Sequence, residues 1–209
     1  AKTYSVTDET PITFSLKEKA GYLEEYQIRN IDTLRTNDRA DYSSDEVFAN
    51  FRGIVMGNIP EGTLYRSSSP VNPELGRNTY ADALAKAAGV KTIIDLADSE
   101  EERAGYEGFA QSYASTVDAV ALNMGVDFAA EDFNAKLKTG LEYMIAHEGP
   151  YLIHCNEGKD RAGFVSALLS ALGGGSADQI VEDYMLSYEN YYHVCLLYTS
   201  PSPRDRSVS

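Results

Sequence analysis

The sequence predicts an α/β fold in which a central, largely parallel sheet is flanked by helices. Three observations lead to this prediction. From about residue 79 onward, short apolar runs alternate with amphipathic stretches of helical period. Glycines follow several of these stretches, at the position where helices commonly end. A glycine-containing loop joins one short apolar run to the next helical stretch. Strands separated by helices form βαβ units, which build a parallel sheet with helices on its faces.

The first 60 residues have a less regular pattern than the rest of the chain. We interpret residues 1–60 as an N-terminal extension or a partial β-rich segment. Its polar and charged stretch is typical of a solvated loop rather than of a binding site. In order, the segment is predicted to hold a strand at 12–16, a strand or helix at 22–29, a solvated loop at 30–50, and a short strand with a turn at 48–59.

The remaining elements have recognisable ends. Ser99 precedes three glutamates, which is the pattern of a helix N-cap with an acidic first turn. Gly89 ends one predicted helix, and Gly149 with Pro150 stops another. The latter helix carries apolar residues at core spacing, namely Phe133, Leu137, Leu141, Met144 and Ile145. The predicted strands are 62–66, 90–96, 117–122 and 151–154, and the predicted helices are 79–88, 99–113, 132–147, 162–172 and 177–191, with a loop at 67–73 after the first strand.

Composition and charge narrow the class of protein. The chain has 209 residues, of which 43% are hydrophobic and 24% charged, as expected for a globular domain with its own core. Its 18 Lys and Arg against 32 Asp and Glu give a net charge of −14. Because nucleic acids and anionic membranes are bound by basic surfaces, this balance argues against both as general partners. No apolar run is long enough to predict stable membrane insertion. A bound anion must therefore be held by a local pocket.

The C-terminal 15 residues resemble the translation of a sequencing adapter, and we exclude residues 195–209 from fold reasoning. A natural Ser- and Pro-rich tail is the alternative interpretation. With this segment set aside, Cys155 is the native cysteine of the chain, and the natural C-terminus is expected to be missing.

The residues that carry chemistry lie between the predicted strand at 151–154 and the helix at 162–172. This loop follows the carboxyl end of its strand, where open α/β sheets bind their ligands. Its backbone N–H groups, with those of the following helix, can form a cradle for an anion. The positive field of such a cradle favours the thiolate of Cys155, which is a nucleophile for phosphorus. Arg161 follows six residues later and can bind two phosphoryl oxygens through its planar fork.

The spacing Cys-x5-Arg, within the run from His154 to Gly163, resembles the phosphate-binding loop of the cysteine-dependent protein tyrosine phosphatase superfamily. The Gly-Lys-Asp-Arg form of the loop resembles a bacterial atypical branch, whose members act on phosphotyrosine and in some cases on phosphoserine, phosphothreonine or phosphoinositides. In that branch an Arg commonly follows the Asp-Leu pair, whereas here Ala97 and Asp98 follow, so no role of that Arg is carried over. Three further stretches resemble the branch in the same order, at 64–67, 92–96 and 180–187, so that the resemblance covers about residues 60–190.

The resemblance implies a protein tyrosine phosphatase-like or dual-specificity phosphomonoester hydrolase that works through a cysteinyl-phosphate intermediate. It also implies a phosphatase fold with the phosphate-binding loop between a strand and a helix, and a catalytic domain at 61–194. A phosphate-binding module without turnover is the alternative from another functional class. Sulfur transfer and arsenate reduction are less favoured, because the former resembles a shorter loop and the latter normally needs resolving cysteines.

The loop and the resemblance together predict roles for individual residues. Cys155 is the predicted nucleophile and Arg161 the predicted phosphoryl ligand. Asp160 is our first candidate for the general acid and Asp127 the competitor; their alternatives are a loop-bracing carboxylate and a helix N-cap. His154 is predicted to position the loop and the thiolate. Arg66 is predicted to brace the loop, with a surface arginine as the alternative. The predicted substrate-binding residues are Asn156, Glu157, Gly158, Lys159, Ala162 and Gly163, with the Glu157 carboxylate expected to face away from the anion or to bond a neighbouring loop.

No cofactor and no metal are predicted, since three histidines and one native cysteine make no spaced ligand cluster. The predicted partner is a protein that carries phosphotyrosine, or a small phosphoester, with a phosphoinositide as a further candidate and no nucleic acid. The compartment stays open between a bacterial cytoplasm and secretion, of which the resemblance favours secretion.

Overall fold

The computed structural model describes residues 36–192. The predicted strand at 12–16, the predicted segment at 22–29 and the predicted tail at 195–209 lie outside the described residues. Within the described range the strands are β1 (Arg52–Gly53), β2 (Leu64–Ser67), β3 (Thr92–Asp95), β4 (Asp118–Ala121) and β5 (Tyr151–His154). The α-helices are α1 (Asp45–Phe48), α2 (Asn78–Ala87), α3 (Glu100–Gly105), α4 (Glu131–Ala146), α5 (Arg161–Leu172) and α6 (Ala177–Tyr192).

The five strands form one sheet in the spatial order β1-β2-β5-β3-β4. The pairs β2–β5, β5–β3 and β3–β4 are parallel, and the two-residue edge strand β1 runs antiparallel to β2. Helices connect the parallel strands, as parallel pairing requires. The predicted α/β fold with a central, largely parallel sheet is therefore confirmed.

The hydrophobic core lies on both faces of the sheet, because successive residues of a strand point to opposite sides. On one face, Ile153 of β5 packs in a cluster with Phe133 of α4 and Val165 of α5. On the other face, Leu152 packs in a cluster with Ala81 and Ala85 of α2. Helices thus cover both faces of the sheet. The carboxyl ends of the strands are left as the place for a binding site.

Two predicted helices differ from those observed. The hydroxyl of Ser99 caps α3 by accepting from the Glu102 N–H, as predicted, but α3 ends at Gly105. Gly108, with φ +81°, interrupts the segment that follows, which continues to residue 115 as two 3-10 turns. Ile145 was expected in the core and is 86% exposed, so that prediction is wrong. Each step along a helix rotates the side chain by about 100°, which carries residue 145 away from the buried face of α4.

Residues before position 60 contribute to the same core. Tyr42, Phe48 and Asn50 are buried, so the expectation of a solvated loop at 30–50 is wrong at these positions. α1 forms first, because the Ser44 hydroxyl accepts from the Val47 N–H and starts a helical turn. The short strand predicted within 48–59 is found as β1 at Arg52–Gly53. The division of the chain at residue 60 stays a prediction.

Along residues 36–192, no helix combines the length and the apolar character needed to cross a membrane.

Candidate active site

The segment 155–161, called the phosphate loop below, connects β5 to α5. The strand register aligns His154 with Ser67 on one side and with Asp95 on the other, so the loop emerges between the ends of β2 and β3. Cys155 is its first residue and is 3% exposed. Gly158 has φ +71°, and a Cβ atom there would lie 2.4 Å from the backbone of Ser67. The loop reaches the end of β2 this closely because residue 158 is glycine.

Arg66 holds the middle of the phosphate loop from behind. Its side chain is fully buried, and Nη2 donates to the carbonyl oxygens of Gly158 at 2.7 Å and Lys159 at 3.3 Å. Its Nη1 forms an ion pair of 2.5 Å with Asp183 of α6. These contacts place Arg66 at the site of its predicted bracing role, and its burial contradicts the alternative of a surface arginine.

Two further donors hold the first part of the loop. Asn50 Nδ2 donates to the Glu157 carbonyl oxygen at 3.2 Å, and the Ser69 N–H donates to the Asn156 carbonyl oxygen at 3.1 Å. Asn50 is fully buried and has φ +49°, a left-handed conformation that asparagine tolerates better than most residues. A side chain with a strained backbone and a partner in the phosphate loop indicates a functional constraint.

The carbonyl oxygens of residues 156–159 therefore all accept hydrogen bonds from behind the loop. A trans peptide directs its N–H away from its carbonyl oxygen. The N–H groups of residues 157–160 accordingly face the opposite, concave side. Consecutive N–H donors at the start of a helix form an anion-binding nest, which is the cradle that the sequence predicts.

The groups behind the loop form a connected network, called the bracing cluster below: Asn50, Arg52, Arg66, Asp183 and Ser187. Arg52 donates to Asp183 Oδ1 at 2.7 Å, to Asn50 Oδ1 at 2.7 Å and to Ser187 Oγ at 3.0 Å. Burial acts to raise the pKa of Asp183, but the guanidinium groups of Arg52 and Arg66 outweigh it and hold this pKa below its usual value. Asp183 therefore stays ionised and joins the buried Arg66 to the partly buried Arg52.

A glycine also shapes the start of α5. A Cβ atom at Gly163 would lie 2.7 Å from the Tyr184 ring and 3.0 Å from Arg66 Nη2. Any larger residue would displace one of these two side chains. Gly163 thus allows α6 and the bracing cluster to approach the phosphate loop.

Arg161 is oriented from the opposite side of the loop. Its Nη1 donates to the Met124 carbonyl oxygen at 2.8 Å. The segment 122–124 that carries this carbonyl is itself anchored, because its three N–H groups donate to carbonyl oxygens of the turn after β3. The distances are 2.8 Å from Leu122 to Asp95, 2.9 Å from Asn123 to Asp98, and 2.8 Å from Met124 to Leu96. The turn after β3 therefore positions the predicted phosphoryl ligand.

Beneath this turn lies a second buried group of polar residues, called the carboxyl cluster below: Asp95, Asp98, Tyr106 and His154. Asp95 Oδ1 accepts from the N–H groups of Ala97 and Asp98, and Tyr106 donates to Asp98 Oδ1 at 2.9 Å. Burial raises the pKa of both Asp95 and Asp98 to about 6. Burial also lowers the pKa of His154 to about 3, so the imidazole 3.7 Å from Asp95 is neutral at neutral pH.

A cavity of about 360 Å³ opens above the phosphate loop. Arg161 lines it together with the mouth residues Glu157, Lys159 and Asp160. Its other lining residues are Val126, Cys155, Asn156 and Tyr192. The predicted nucleophile, phosphoryl ligand and first candidate acid thus share one cavity.

Four other predicted site residues differ in whether they line this cavity. Ala162 and Gly163 are buried in the first turn of α5 and are not among the residues that line the cavity. Asp127 is exposed, is not among them either, and accepts from the Ala129 N–H instead of capping α4. Glu157 is among the residues that line the cavity, and its Oε2 lies 3.3 Å from Lys159 Nζ. The expectation that its carboxylate faces away from the anion or bonds a neighbouring loop stays a prediction.

Sequence reasoning missed most of the bracing cluster. Asn50 and Arg52 stand in a segment that the sequence assigned to a loop and a short strand, more than 100 positions before their partners. Asp183 falls in a stretch that resembles the family, which was its only signal. Long-range partners of this kind are decided by how the elements pack. Within residues 36–192, no group of three or more His, Cys, Asp or Glu side chains is arranged to hold a metal ion.

Comparison with known proteins shows which family the chain matches. The family described as the tyrosine phosphatase family matches residues 46–199. A tyrosine-protein phosphatase of Nostoc commune is 30% identical over 135 residues, which cover 54% of this chain and 46% of the relative. The chain thus spans about half the length of this curated relative.

Two similar solved structures have low structural scores. The core catalytic domain of the PP-IP phosphatase SIW14 from S. cerevisiae, in complex with citrate, has a TM-score of 0.45 and 24% identity, covering 66% of this chain and 76% of that chain. P. aeruginosa TpbA in complex with pTyr has a TM-score of 0.44 and 19% identity, covering 75% of this chain and 91% of that chain. The family match spans most of the chain and includes the whole phosphate loop. The chain belongs to the tyrosine phosphatase family.

Proposed function

We propose that this chain hydrolyses phosphomonoesters through a cysteinyl-phosphate intermediate on Cys155. The observation that carries the proposal is the position of Cys155 beside Arg161 in one cavity, at the start of a loop whose carbonyl oxygens at 156–159 accept hydrogen bonds from donors behind it. Fixed N–H donors and Arg161 stabilise the negative charge that grows on the phosphoryl oxygens in the transition state. Because these donors are held before substrate binds, little reorganisation is needed.

The proposed reaction has two steps. First, the Cys155 thiolate attacks phosphorus, an S–P bond forms, the ester P–O bond breaks, and Asp160 gives its proton to the leaving oxygen. Second, water attacks phosphorus, the S–P bond breaks, and the Asp160 carboxylate takes the proton released by that water. Inorganic phosphate leaves, and the thiolate and the protonated acid are restored.

Asp160 is preferred over Asp127 as the acid on the basis of position. The Asp160 side chain is 49% exposed and lines the cavity with Cys155. Asp127 is exposed on the segment that precedes α4, with its carboxylate turned to the Ala129 N–H. A general acid has to reach the leaving oxygen, and Asp160 is adjacent to Arg161 in the same loop.

We infer that phosphotyrosine in a protein is the substrate class, as the family membership supports. Val126, which is exposed, lines the cavity beside the phosphate loop and offers an apolar contact for an aromatic ring. Secretion from a bacterial cell stays a prediction that rests on the resemblance.

The test is hydrolysis of p-nitrophenyl phosphate by the full chain in the presence of a chelator. We expect turnover in the parent and a loss of more than about a thousandfold in kcat for Cys155→Ser. Glu148→Gln, an exposed residue at the other edge of the sheet, serves as the control variant. A folded parent without turnover that still binds inorganic phosphate would instead support the phosphate-binding module.

A further inference from the structure

The charges at the mouth of the cavity select among phosphoesters, an inference that rests on the proposed function. Four charged side chains line the cavity, namely Glu157, Lys159, Asp160 and Arg161. Arg161 is assigned to the phosphoryl group that is transferred. Apart from Arg161, the lining drawn from residues 36–192 carries one cation, Lys159, and two carboxyl groups, of which Asp160 is assigned to proton transfer.

The one remaining cation is already bound within the protein. Lys159 Nζ donates to the Tyr192 hydroxyl at 2.5 Å and lies 3.3 Å from Glu157 Oε2 and 3.8 Å from Asp160 Oδ2. Lys159 Nζ thus makes one hydrogen bond, to the Tyr192 hydroxyl, and two ion-pair contacts with carboxyl groups. Burial works to lower the pKa of Lys159, but the Tyr192 hydroxyl and the two carboxylates outweigh it and the pKa is raised. A second phosphate would have to displace these partners to use this charge.

We propose that Glu157 is a specificity-determining residue that restricts the site to a single, isolated phosphoryl group, such as that of phosphotyrosine in a protein. Its side chain is 23% exposed and Glu157 is among the residues that line the cavity, so its negative charge lies close to whatever surrounds the bound phosphoryl group. An inositol ring with adjacent phosphates brings further negative charge against this carboxylate. Like charges repel strongly at short range, and partial burial limits screening by salt. A tyrosine ring carries no charge at the same place.

The experiment compares kcat/KM for two substrates, a phosphotyrosine peptide and a water-soluble dioctanoyl phosphatidylinositol bisphosphate. We expect the parent to prefer the peptide, and Glu157→Gln to shift the ratio towards the bisphosphate by about tenfold. The shift is expected to shrink between 0.05 M and 0.5 M salt, which a purely structural effect would not do. Glu148→Gln removes the same charge at the opposite edge of the sheet and is expected to leave the ratio within about twofold.

A binding measurement separates this inference from the proposed catalysis. Cys155→Ser, alone and with Glu157→Gln, is titrated calorimetrically with both compounds, and the same shift in relative affinity is expected without turnover. An unchanged ratio in both measurements would overturn the role of Glu157 while leaving the phosphatase function intact. A parent that prefers the bisphosphate would also overturn it. A parent without turnover whose Cys155→Ser form shows the shift would overturn the catalysis alone.

Discussion

Two buried polar clusters lie on opposite sides of the phosphate loop, and they handle buried charge differently. In the bracing cluster, Asp183 is ionised between Arg52 and Arg66, at 2.7 and 2.5 Å. In the carboxyl cluster, burial raises the pKa of Asp95 and Asp98 to about 6 beside a neutral His154. One cluster keeps its charges because each has a partner, and the other moves towards neutrality because partners are too few.

The difference in charge state corresponds to the way in which each cluster holds the phosphate loop. Arg66 has to point N–H donors at loop carbonyl oxygens, and a guanidinium group in a fixed ion pair holds that direction. The carboxyl cluster supports backbone instead, through the Asp95 turn that anchors segment 122–124 and with it Arg161. Side-chain charge fixes the loop on one side, and a hydrogen-bonded turn fixes it on the other.

The largest expected effect comes from removing the cation that joins the bracing cluster to the loop. Arg66→Met removes the donor to the Gly158 carbonyl oxygen and the partner of Asp183 Oδ2 in a buried site, which we expect to lower the free energy of unfolding by about 3–5 kcal/mol. Chemical denaturation measures this loss. Arg66→Lys keeps the charge without the fork and should recover only part of it; full recovery would show that charge, not geometry, braces the loop.

Asn50 tests the same cluster through its strained backbone. Asn50→Gly relieves the positive φ but removes the bonds to Glu157 and Arg52, and Asn50→Ala removes the bonds and keeps the strain. We expect Asn50→Ala to lose about 2–3 kcal/mol of stability, and both variants to lose about tenfold in kcat/KM. Equal activity of Asn50→Gly and the parent would contradict a role in holding the loop.

Asp98→Asn tests the carboxyl cluster by its pH dependence. The pKa of Asp98 in the folded chain is about 6, above its unfolded value, so between about pH 4 and pH 6 the folded state holds a proton that the unfolded state releases. The presence of Asp98 therefore lowers the free energy of unfolding as the pH rises through that window. Above the window its contribution no longer changes with pH. We expect the unfolding free energy of Asp98→Asn, minus that of the parent, to increase by about 2 kcal/mol from pH 4 to pH 6.

The contribution of His154, which has the opposite sign, is present in both proteins and largely cancels in this difference. The bracing cluster is expected to respond to pH in the opposite way. Because the pKa of Asp183 is lowered, its ionised carboxylate stabilises the folded state at neutral pH, and this stabilisation is lost only when the pH falls below the usual carboxyl range. A flat difference between pH 4 and pH 6 would show that Asp98 is ionised in the folded chain.

The smallest expected effect comes from removing the Tyr106 hydroxyl from the carboxyl cluster. The Tyr106 hydroxyl donates to Asp98 and opposes the burial that raises its pKa. Tyr106→Phe should lower stability by about 1 kcal/mol and extend the pH-dependent fall in stability to higher pH. Parallel pH profiles for this variant and the parent would mean that the hydroxyl does not interact with the ionised carboxylate.

Local pattern was sufficient for much of the fold. Apolar runs and helix ends identified β2 to β5 to within about two residues, and the capping pattern at Ser99 was found in α3 as expected. Local pattern failed where packing decides. Residues 100–115 fold as a short helix and two 3-10 turns instead of one helix, and α1 forms where a loop was predicted. For the site, the loop itself was readable, whereas Asn50 and Arg52 were not, because single polar residues carry no sign of a distant partner.

The sequence by itself determined the chemistry: a thiol, an arginine six residues later, and glycines that let the chain turn tightly between a buried strand and a helix. These are local properties, since spacing and backbone freedom act over a few residues. Only the tertiary structure decided which donors hold the loop carbonyl oxygens, which carboxylates are ionised, and that Lys159 bonds the Tyr192 hydroxyl. Each of these depends on burial and on partners from distant segments, which assemble only when the sheet and helices pack together.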